Sequence, residues 1–386
     1  MLRQKFMVAI LVLVMAAIHA EAATIRVEQD GSGDFTEIST GILAAAPGDT
    51  VRIGAGWYQQ SVPLSTGGNT EETYAAVVVD SLTIVGEGRD DVIIGPAEPD
   101  FTLQGPWGFA LLQGVVTHVR IESVTVVNVK RAIEASGSVV ATDLAIRDCE
   151  SGFFFTFAFG LRVTNVETDR VRFPVLGGSQ ASDIVIRDSV FRSCEQRGVS
   201  LTNGASGVVI DGCELVDCAV ILSFGSSATM QATAVLGEAS VALFNGSRLE
   251  MNNCIVGSGF GNLEITGNSE ISGANNVFRG GSVQTIRLSG PMSTATITNS
   301  HIFRVDGSPV VVAEAYRSEP VQIDLRGNWW GTTNADSLRA WIIDGDDLSN
   351  PPFFEELAEV LFEPFALGPV SGNSESMGTF KARFRD

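Results

Sequence analysis

The chain has 386 residues, and 45 Asp and Glu outnumber 25 Lys and Arg, so its formal net charge is −20. This charge argues against nucleic acids and anionic membrane surfaces as partners, because both would repel the protein. A strongly polyanionic substrate also requires a local concentration of positive charge. Composition therefore excludes the common classes of basic binding protein.

The first 22 residues have the pattern of a signal peptide. Arg3 and Lys5 precede an apolar run over residues 7–18, and Ala20-Glu21-Ala22 forms a small-residue cleavage site. The apolar run is too short to span a bilayer as a helix, and no later segment is long and apolar enough. We therefore predict cleavage near Ala22 and a secreted, periplasmic or cell-surface protein.

After a first strand over residues 23–30, the apolar positions Phe35, Ile38, Ile42 and Leu43 predict an amphipathic helix over about 35–46, with Asp34 as its N-cap. Short apolar runs between residues 51 and 94 predict the next strands. Residues 61–75 and 96–108 are predicted to be long loops. No other helix is predicted before residue 335.

From Ile121 to about Asn328 the sequence repeats itself, and the repeats consist of short runs of Val, Ile, Leu and Phe separated by Gly, Asn, Asp and Ser. Corresponding apolar positions recur every 20 to 28 residues, which is typical of a solenoid. These positions are Ile121, Ala141, Val163, Ile186, Ile210, Met230, Met251, Ala274, Ile297 and Leu325.

The residue two places after each repeat position is mostly of a type that tolerates a left-handed backbone. The residues there are Ser123, Asp143, Asn165, Asp188, Gly212, Ala232, Asn253, Asn276, Asn299 and Gly327. Apolar residues then resume three and five places after the repeat position. Each repeat therefore predicts a strand, a tight bend and a second strand, which stack on the next repeat to form a parallel β-solenoid.

This pattern resembles the right-handed parallel β-helix proteins, the family that includes pectate lyases and pectin methylesterases. The column of bend residues is similar to that family's asparagine ladder. Residues 27–58, with the DGSGDF turn, resemble the family's opening segment, and NWWGTT at 328–333 resembles its closing segment. The resemblance implies a single-stranded all-β helix of about 10–12 coils over residues 23–334, with a helical cap at each end.

The resemblance does not carry over a hydrolase or an esterase activity. The NTD and GHG motifs of polygalacturonase-like glycosidases do not occur, and the string ESGFFFTFAFG lacks the aspartate that a pectin methylesterase requires. Two histidines, His118 and His301, remain after the signal peptide, so a three-histidine metal site is excluded. His301 is expected to have a structural role.

Five cysteines fall into two columns of the repeat, with Cys149, Cys194 and Cys218 in one and Cys213 and Cys254 in the other. Only Cys194 and Cys218 are neighbours in successive coils. A stack of small, buried, unbridged side chains is the preferred interpretation. A Cys194–Cys218 disulfide is the alternative, and the odd number leaves at least one free thiol.

Charged residues concentrate on the second to fourth coils. A β-elimination on a uronic acid requires a base and a cation that neutralises the substrate carboxylate, and arginine or lysine often supplies the base in β-helix lyases. By this resemblance the candidate catalytic residues are Lys130, Arg147, Arg172 and Arg192. Candidate substrate-binding residues near them are Asp148, Asp169, Arg170, Glu195, Arg197 and Phe154, the last from the aromatic run 153–159. An ordinary ladder of alternating surface charges beside an aromatic interior is the alternative.

After Trp330 the pattern predicts a C-terminal cap over residues 335–370, with helices at 335–342 and about 352–361, and a polar, disordered tail at 371–386. Within the cap, Asp344, Asp346 and Asp347 present carboxylates at the spacing of a calcium-binding loop, although a plain acidic turn has the same pattern. Calcium is therefore the one candidate cofactor.

These observations predict an exported, monomeric β-helix that interacts with an extracellular polysaccharide or cell-surface glycan. It is either a lyase-like or degenerate carbohydrate-active protein or, alternatively, a non-enzymatic structural or adhesive solenoid. If it is an enzyme, the sequence favours a polysaccharide lyase.

Overall fold

A computed structural model describes residues 22–370, except for 67, 68, 100, 102–104, 112–115, 117, 136, 156–158, 196, 259, 260, 281, 282, 305, 306, 318–321, 346 and 348–355. The predicted signal peptide, apart from Ala22, and the predicted tail at 371–386 lie outside the described residues.

The described chain winds into a parallel β-solenoid of about 12 turns, as the repeats predict. Hydrogen bonding links its 35 described strands into one continuous sheet with three faces. All described strand pairs are parallel except for a hairpin near the N-terminus and one pair near the C-terminus. Strands β12 (Ser138–Phe155) and β13 (Phe159–Gly177) pass through all three faces without a break.

We call the three faces face 1, face 2 and face 3, in the order in which each turn visits them. Face 1 contains β1 (Thr24–Val27), β2 (Thr50–Ile53), β6 (Leu82–Gly86), β9 (His118–Glu122), β14 (Ser182–Arg187), β17 (Ser206–Asp211), β20 (Ser227–Gln231), β23 (Arg248–Asn252), β26 (Glu270–Ala274), β29 (Thr294–Thr298), β32 (Gln322–Asp324) and β35 (Glu359–Leu361).

Face 2 has the shortest strands. It contains β3 (Gly56–Tyr58), β7 (Val92–Ile94), β10 (Thr125–Val127), β15 (Val190–Arg192), β18 (Glu214–Val216), β21 (Ala234–Gly237), β24 (Ile255–Ser258), β27 (Val277–Arg279) and β30 (His301–Ile302).

Face 3 completes each turn. It contains β4 (Val62–Thr66), β5 (Asn69–Val77), β8 (Trp107–Leu111), β11 (Arg131–Ala135), β16 (Val199–Leu201), β19 (Val220–Ser223), β22 (Val241–Phe244), β25 (Gly261–Thr266), β28 (Gln284–Pro291), β31 (Val311–Arg317), β33 (Ile342–Ile343) and β34 (Glu356–Leu357).

The bend between faces 1 and 2 follows the prediction, because the residues in the predicted column have positive φ angles, with one exception. At the exception the left-handed residue is Asn275 (φ 60°) and not Asn276. The repeat position of this coil is Gly273, which pairs with Met251 and Ile297, and not Ala274. A glycine adds no apolar side chain to the pattern, so the sequence placed this coil one residue too late.

The inward position after the bend carries a ladder of polar side chains inside the solenoid. Asn276 Oδ1 accepts a hydrogen bond from the Cys254 backbone N–H at 2.9 Å, and Ser300 Oγ accepts one from Asn276 N–H at 2.9 Å. Asn328 continues the ladder by accepting from Ser300 N–H at 2.8 Å. The asparagine ladder is therefore built by the inward residues, and the bend residues supply backbone conformation.

The cysteine prediction was wrong for one pair. Cys194 and Cys218 form a disulfide, and their Cα atoms are 4.9 Å apart. Successive turns place equivalent residues at the separation that a disulfide spans, so the parallel register itself brings the two sulfur atoms together. The other cysteines, Cys149, Cys213 and Cys254, are buried and unbridged, and burial raises the pKa of each thiol to about 12.

Loss of this disulfide should destabilise the protein. The bridge closes a loop with a sequence separation of 24 residues, so replacing Cys218 by serine should reduce the free energy of unfolding by about 3 kcal/mol. Urea denaturation of the variant and of wild-type protein measures this difference. Cys254→Ser is the control, because it replaces a buried thiol that closes no loop. Equal losses in the two variants would contradict the predicted contribution of the bridge.

The ends differ in part from the prediction. Helix α1 (Ile38–Ala44) is shorter than the predicted 35–46, and its N-cap is Glu37 because the Asp34 carboxylate instead accepts a hydrogen bond from Arg26 N–H. Helix α2 (Ala335–Trp341) lies where the first C-terminal helix was expected, and Asn334 caps it. The second expected helix, at 352–361, is wrong over 356–361, where β34 and β35 lie, and its residues 352–355 lie outside the described residues.

Part of the predicted loop at 61–75 is a β-hairpin formed by β4 and β5. Leu64 on this hairpin packs with Ala76, Trp107 and Ala110 in a small apolar cluster that is separate from the main core. The hairpin thus covers part of the outer side of face 3. The alternating pattern of the hairpin is weak, so the sequence did not reveal it.

Candidate functional site

Most of the charged residues predicted on the second to fourth coils occupy two ladders of charge, one on each side of the corner between faces 2 and 3. On face 2, Arg147 and Arg192 lie in one outward column, with Asp169 of the intervening turn between them. Arg192 lies 3.2 Å from Glu214 and 3.8 Å from Glu167. Each positive charge in this column therefore has carboxylates beside it.

At the corner itself, Asp148 and Arg170 occupy equivalent positions in successive turns. Both have left-handed backbones, with φ of 53° and 52°. Arg170 donates hydrogen bonds to both carboxylate oxygens of Asp148, at 2.6 and 2.8 Å, and also contacts Asp169. The carboxylate of Asp148 raises the pKa of the Arg170 guanidinium.

The second ladder begins on the far side of the corner. Lys130, Glu150, Arg172 and Glu195 follow one another in successive turns, as the flanking register shows. Arg172 Nη1 lies 3.9 Å from Glu150, and Arg172 Nε lies 3.9 Å from Glu195. These distances are too long for direct hydrogen bonds, and the buried Nε has no hydrogen-bond partner among the described residues.

A shallow cavity of about 150 Å³ opens at this ladder. It is lined by Phe101, Cys149, Glu150, Arg170, Arg172 and Glu195. Phe101 is 48% exposed, which is unusual for a large aromatic side chain. The cavity thus combines an exposed aromatic ring, an arginine with unused donors and two carboxylates.

The structure does not bring all the predicted residues to this cavity. Phe154 lies farther along face 3, half-buried, with its ring 3.8 Å from the guanidinium carbon of Arg131. Arg197 projects two turns after Phe154, on the turn that carries Glu195, and reaches Ser200 Oγ at 3.4 Å. We call the two ladders and the corner pair the charged ridge, and it consists of Lys130, Arg147, Asp148, Glu150, Asp169, Arg170, Arg172, Arg192 and Glu195.

The cluster around Arg131 contains residues that the sequence analysis missed. Arg131 lies between the rings of Trp107 and Phe154 and forms a 2.6 Å ion pair with Glu134. Burial raises the pKa of Glu134, and the Arg131 charge opposes this effect. The sequence shows that Arg131 follows Lys130 directly. The alternation of side chains along a strand does not indicate that Arg131 contacts two aromatic rings.

Two of the three predicted calcium ligands in the acidic turn are described, Asp344 and Asp347. The Asp344 carboxylate accepts a hydrogen bond from Val360 N–H at 3.0 Å, and Asp347 is exposed. Asp346 lies outside the described residues. Among the remaining described residues, no three His, Cys, Asp or Glu side chains are grouped so that they could hold a metal ion.

His301 has the structural surroundings that were expected. Its Nε2 accepts a hydrogen bond from the backbone N–H of Val370 at 3.1 Å, and its ring packs edge-on against Phe303. Burial lowers the pKa of His301. This hydrogen bond attaches the end of the C-terminal cap to the last turn of face 2. His301 is separated from the charged ridge by several turns of the solenoid.

Comparison with known proteins identifies the fold. The family profile described as "right handed beta helix region" matches residues 102–235. The chain has the right-handed parallel β-helix fold. The predicted fold class is thereby confirmed. The matched β-helix segment includes the entire charged ridge.

Several solved structures have a similar fold at low identity. The catalytic unit of an α-1,3-glucanase from Streptomyces thermodiastaticus is 10% identical, with 92% of this chain and 71% of that chain covered and a TM-score of 0.42. The Agl-KA catalytic domain is 12% identical, with 90% of this chain and 68% of that chain covered and a TM-score of 0.49. Pectin methylesterase from carrot is also 12% identical, with 90% of this chain and 89% of that chain covered and a TM-score of 0.23. The likeness is one of fold alone.

No curated protein matches the chain in sequence. Neither helix in the described part of the β-helix has the length and apolar character that a bilayer crossing requires.

Proposed function

We propose that this β-helix is an exported, monomeric protein that binds an extracellular polysaccharide along the charged ridge. The observation that carries the proposal is the ladder of Lys130, Glu150, Arg172 and Glu195 beside an open cavity with an exposed phenylalanine. Successive turns repeat at about 4.8 Å, a distance close to the length of one sugar ring. A polymer lying parallel to the solenoid axis would meet a cationic and an anionic side chain at alternate turns, one group per sugar unit.

The chemistry of the ridge suits polysaccharide binding. Polysaccharide recognition uses donors and acceptors side by side, together with aromatic faces, and the ridge supplies all three. A catalytic arginine must lose a proton, and the Asp148 carboxylate raises the pKa of Arg170, so Arg170 is suited to binding and not to catalysis. Lys130, Arg147, Arg172 and Arg192 are the candidate bases if the protein is a lyase, and calcium remains a candidate cofactor.

Replacing Arg172 by glutamine should weaken retention on the polysaccharide about tenfold, because the variant loses a charged donor at the centre of the cavity. Retention and dissociation constants would be measured for the chain from Ala23 on a panel of immobilised neutral and uronic polysaccharides, with and without calcium. Absorbance from unsaturated ends and assays of reducing ends would be followed in the same samples.

Arg248→Gln is the matched control, because Arg248 forms a similar 3.4 Å ion pair with Glu270 on face 1, away from the ridge. This control should bind like wild type. If neither polymer class retains the wild-type protein, the polysaccharide proposal fails and the structural or adhesive solenoid becomes the better account. Equal weakening in both variants would place the binding surface elsewhere.

A further inference from the structure

The cavity at the second ladder contains donors and acceptors that are not used within the protein. Arg172 lies in ion-pair range of Glu150 and Glu195, yet both distances are 3.9 Å and its Nε has no hydrogen-bond partner among the described residues. By contrast, Arg170 at the same cavity is engaged by Asp148 and Asp169. The Arg172 side chain is 40% exposed although its Nε is buried, so its terminal Nη groups are the donors that a ligand at this cavity can reach.

The surrounding charges limit which ligand can accept those donors. A uronate carboxylate that reached Arg172 would lie between Glu150 and Glu195, and the two like charges would repel it. A pair of neighbouring sugar hydroxyls has no such conflict, because a hydroxyl accepts from an arginine and donates to a carboxylate at the same time. Two hydroxyls could therefore bridge Arg172 to the two glutamates.

The cavity also supplies an apolar surface. Phe101 contributes an exposed ring. The apolar side of a pyranose ring packs on an aromatic face while its hydroxyls remain available to polar groups. A volume of about 150 Å³ suits one small ring rather than an oligosaccharide.

We infer that this cavity is a binding site for one neutral sugar unit, held by Arg172, Glu150 and Glu195 through vicinal hydroxyls and by Phe101 through its ring. The inference rests on the proposed polysaccharide function and specifies its substrate class as neutral. It excludes uronic acids at this position, although the fold resemblance and the arginine content favoured them.

The test compares two ligand sets of equal length, neutral gluco- and manno-oligosaccharides and oligomers of galacturonic and mannuronic acid, by isothermal titration calorimetry. Wild-type protein should bind at least one neutral oligomer about tenfold or more tightly than any uronic oligomer. The double variant Glu150→Gln and Glu195→Gln should lose about tenfold in affinity for the neutral ligand. It should also gain affinity for the uronic ligands, because the repulsion is removed.

The control variant is Glu270→Gln, which neutralises the partner of Arg248 on face 1. This variant changes the net charge of the protein by half as much as the double variant. If net charge alone controlled affinity, the control should therefore show half the change in binding free energy. A neutral preference that narrows or reverses only in the double variant supports the inference. A preference for uronic ligands in wild type, or an unchanged preference in the double variant, overturns it while the polysaccharide proposal stands. Absence of binding to every oligomer and polymer overturns both.

Discussion

Replacing Gly273 by alanine should destabilise the β-helix by about 4 kcal/mol or more. Gly273 has a φ of 153°, and a methyl group at its Cα would overlap the backbone carbonyl of Met251 in the preceding turn. The overlapped atom is backbone that is fixed by the ladder of face 1, so it cannot move aside as a flexible side chain could. Strain and overlap of this kind produce the largest effects of single substitutions.

Gly225→Ala is the matched control for this prediction. Gly225 also has a positive φ, of 77°, but an added methyl group would meet no atom within 4 Å. It should therefore cost about 1–2 kcal/mol from backbone strain alone. Urea unfolding followed by circular dichroism measures both variants, and the difference between them isolates the overlap. Equal losses would show that the turn at Gly273 can shift to accommodate a side chain.

Replacing Asn328 by alanine should cost about 4 kcal/mol, because three buried hydrogen bonds are lost at once. Asn328 Oδ1 accepts from Ser300 N–H at 2.8 Å, and its Nδ2 donates to the carbonyls of Ile297 and Leu325 at 2.6 and 2.7 Å. The side chain is fully buried, so each abandoned backbone group is left without water and costs about 1–3 kcal/mol.

The effect of this change should be local to the C-terminal turns, since a solenoid repeat contacts its neighbours only. Hydrogen exchange should therefore accelerate around residues 297–328 before it does so near the N-terminus. The control is Asn299→Gly. Asn299 is an exposed bend residue with a φ of 49°, and glycine adopts that conformation without strain, so a change within about 1 kcal/mol is expected. An equal loss in the control would contradict the special role of the interior ladder.

The architecture could be predicted from the sequence because one structural unit is repeated many times. Bend residues such as Asp143 and Asn165 fixed the coil period, and one irregular coil did not obscure the pattern. The repeat position at Gly273 was assigned to Ala274 because the sequence pattern detects apolar side chains. The structure requires a residue without a side chain at this position. The hairpin β4–β5 was missed because it occurs once.

The ridge could be predicted only in part. The repeat period placed Arg147 and Arg192 in one column correctly, because residues at the same position of successive coils pair with one another. It could not indicate that the chain turns a corner at Asp148 and Arg170, which separates Arg172 from them and places it beside Glu150 and Glu195. The contribution of Phe101 depends on a distant segment folding against these turns, and no local pattern contains that information.

The most direct test of the central claim is chemical labelling of carboxylates with a carbodiimide and an amine, with and without a saturating polysaccharide, followed by mass spectrometry. Polymer binding along the ridge predicts that labelling of Glu150 and Glu195 falls severalfold while labelling of Glu270 on face 1 is unchanged. Protection of Glu270 with no protection of Glu150 and Glu195 would contradict the account and place the polysaccharide on another face of the β-helix.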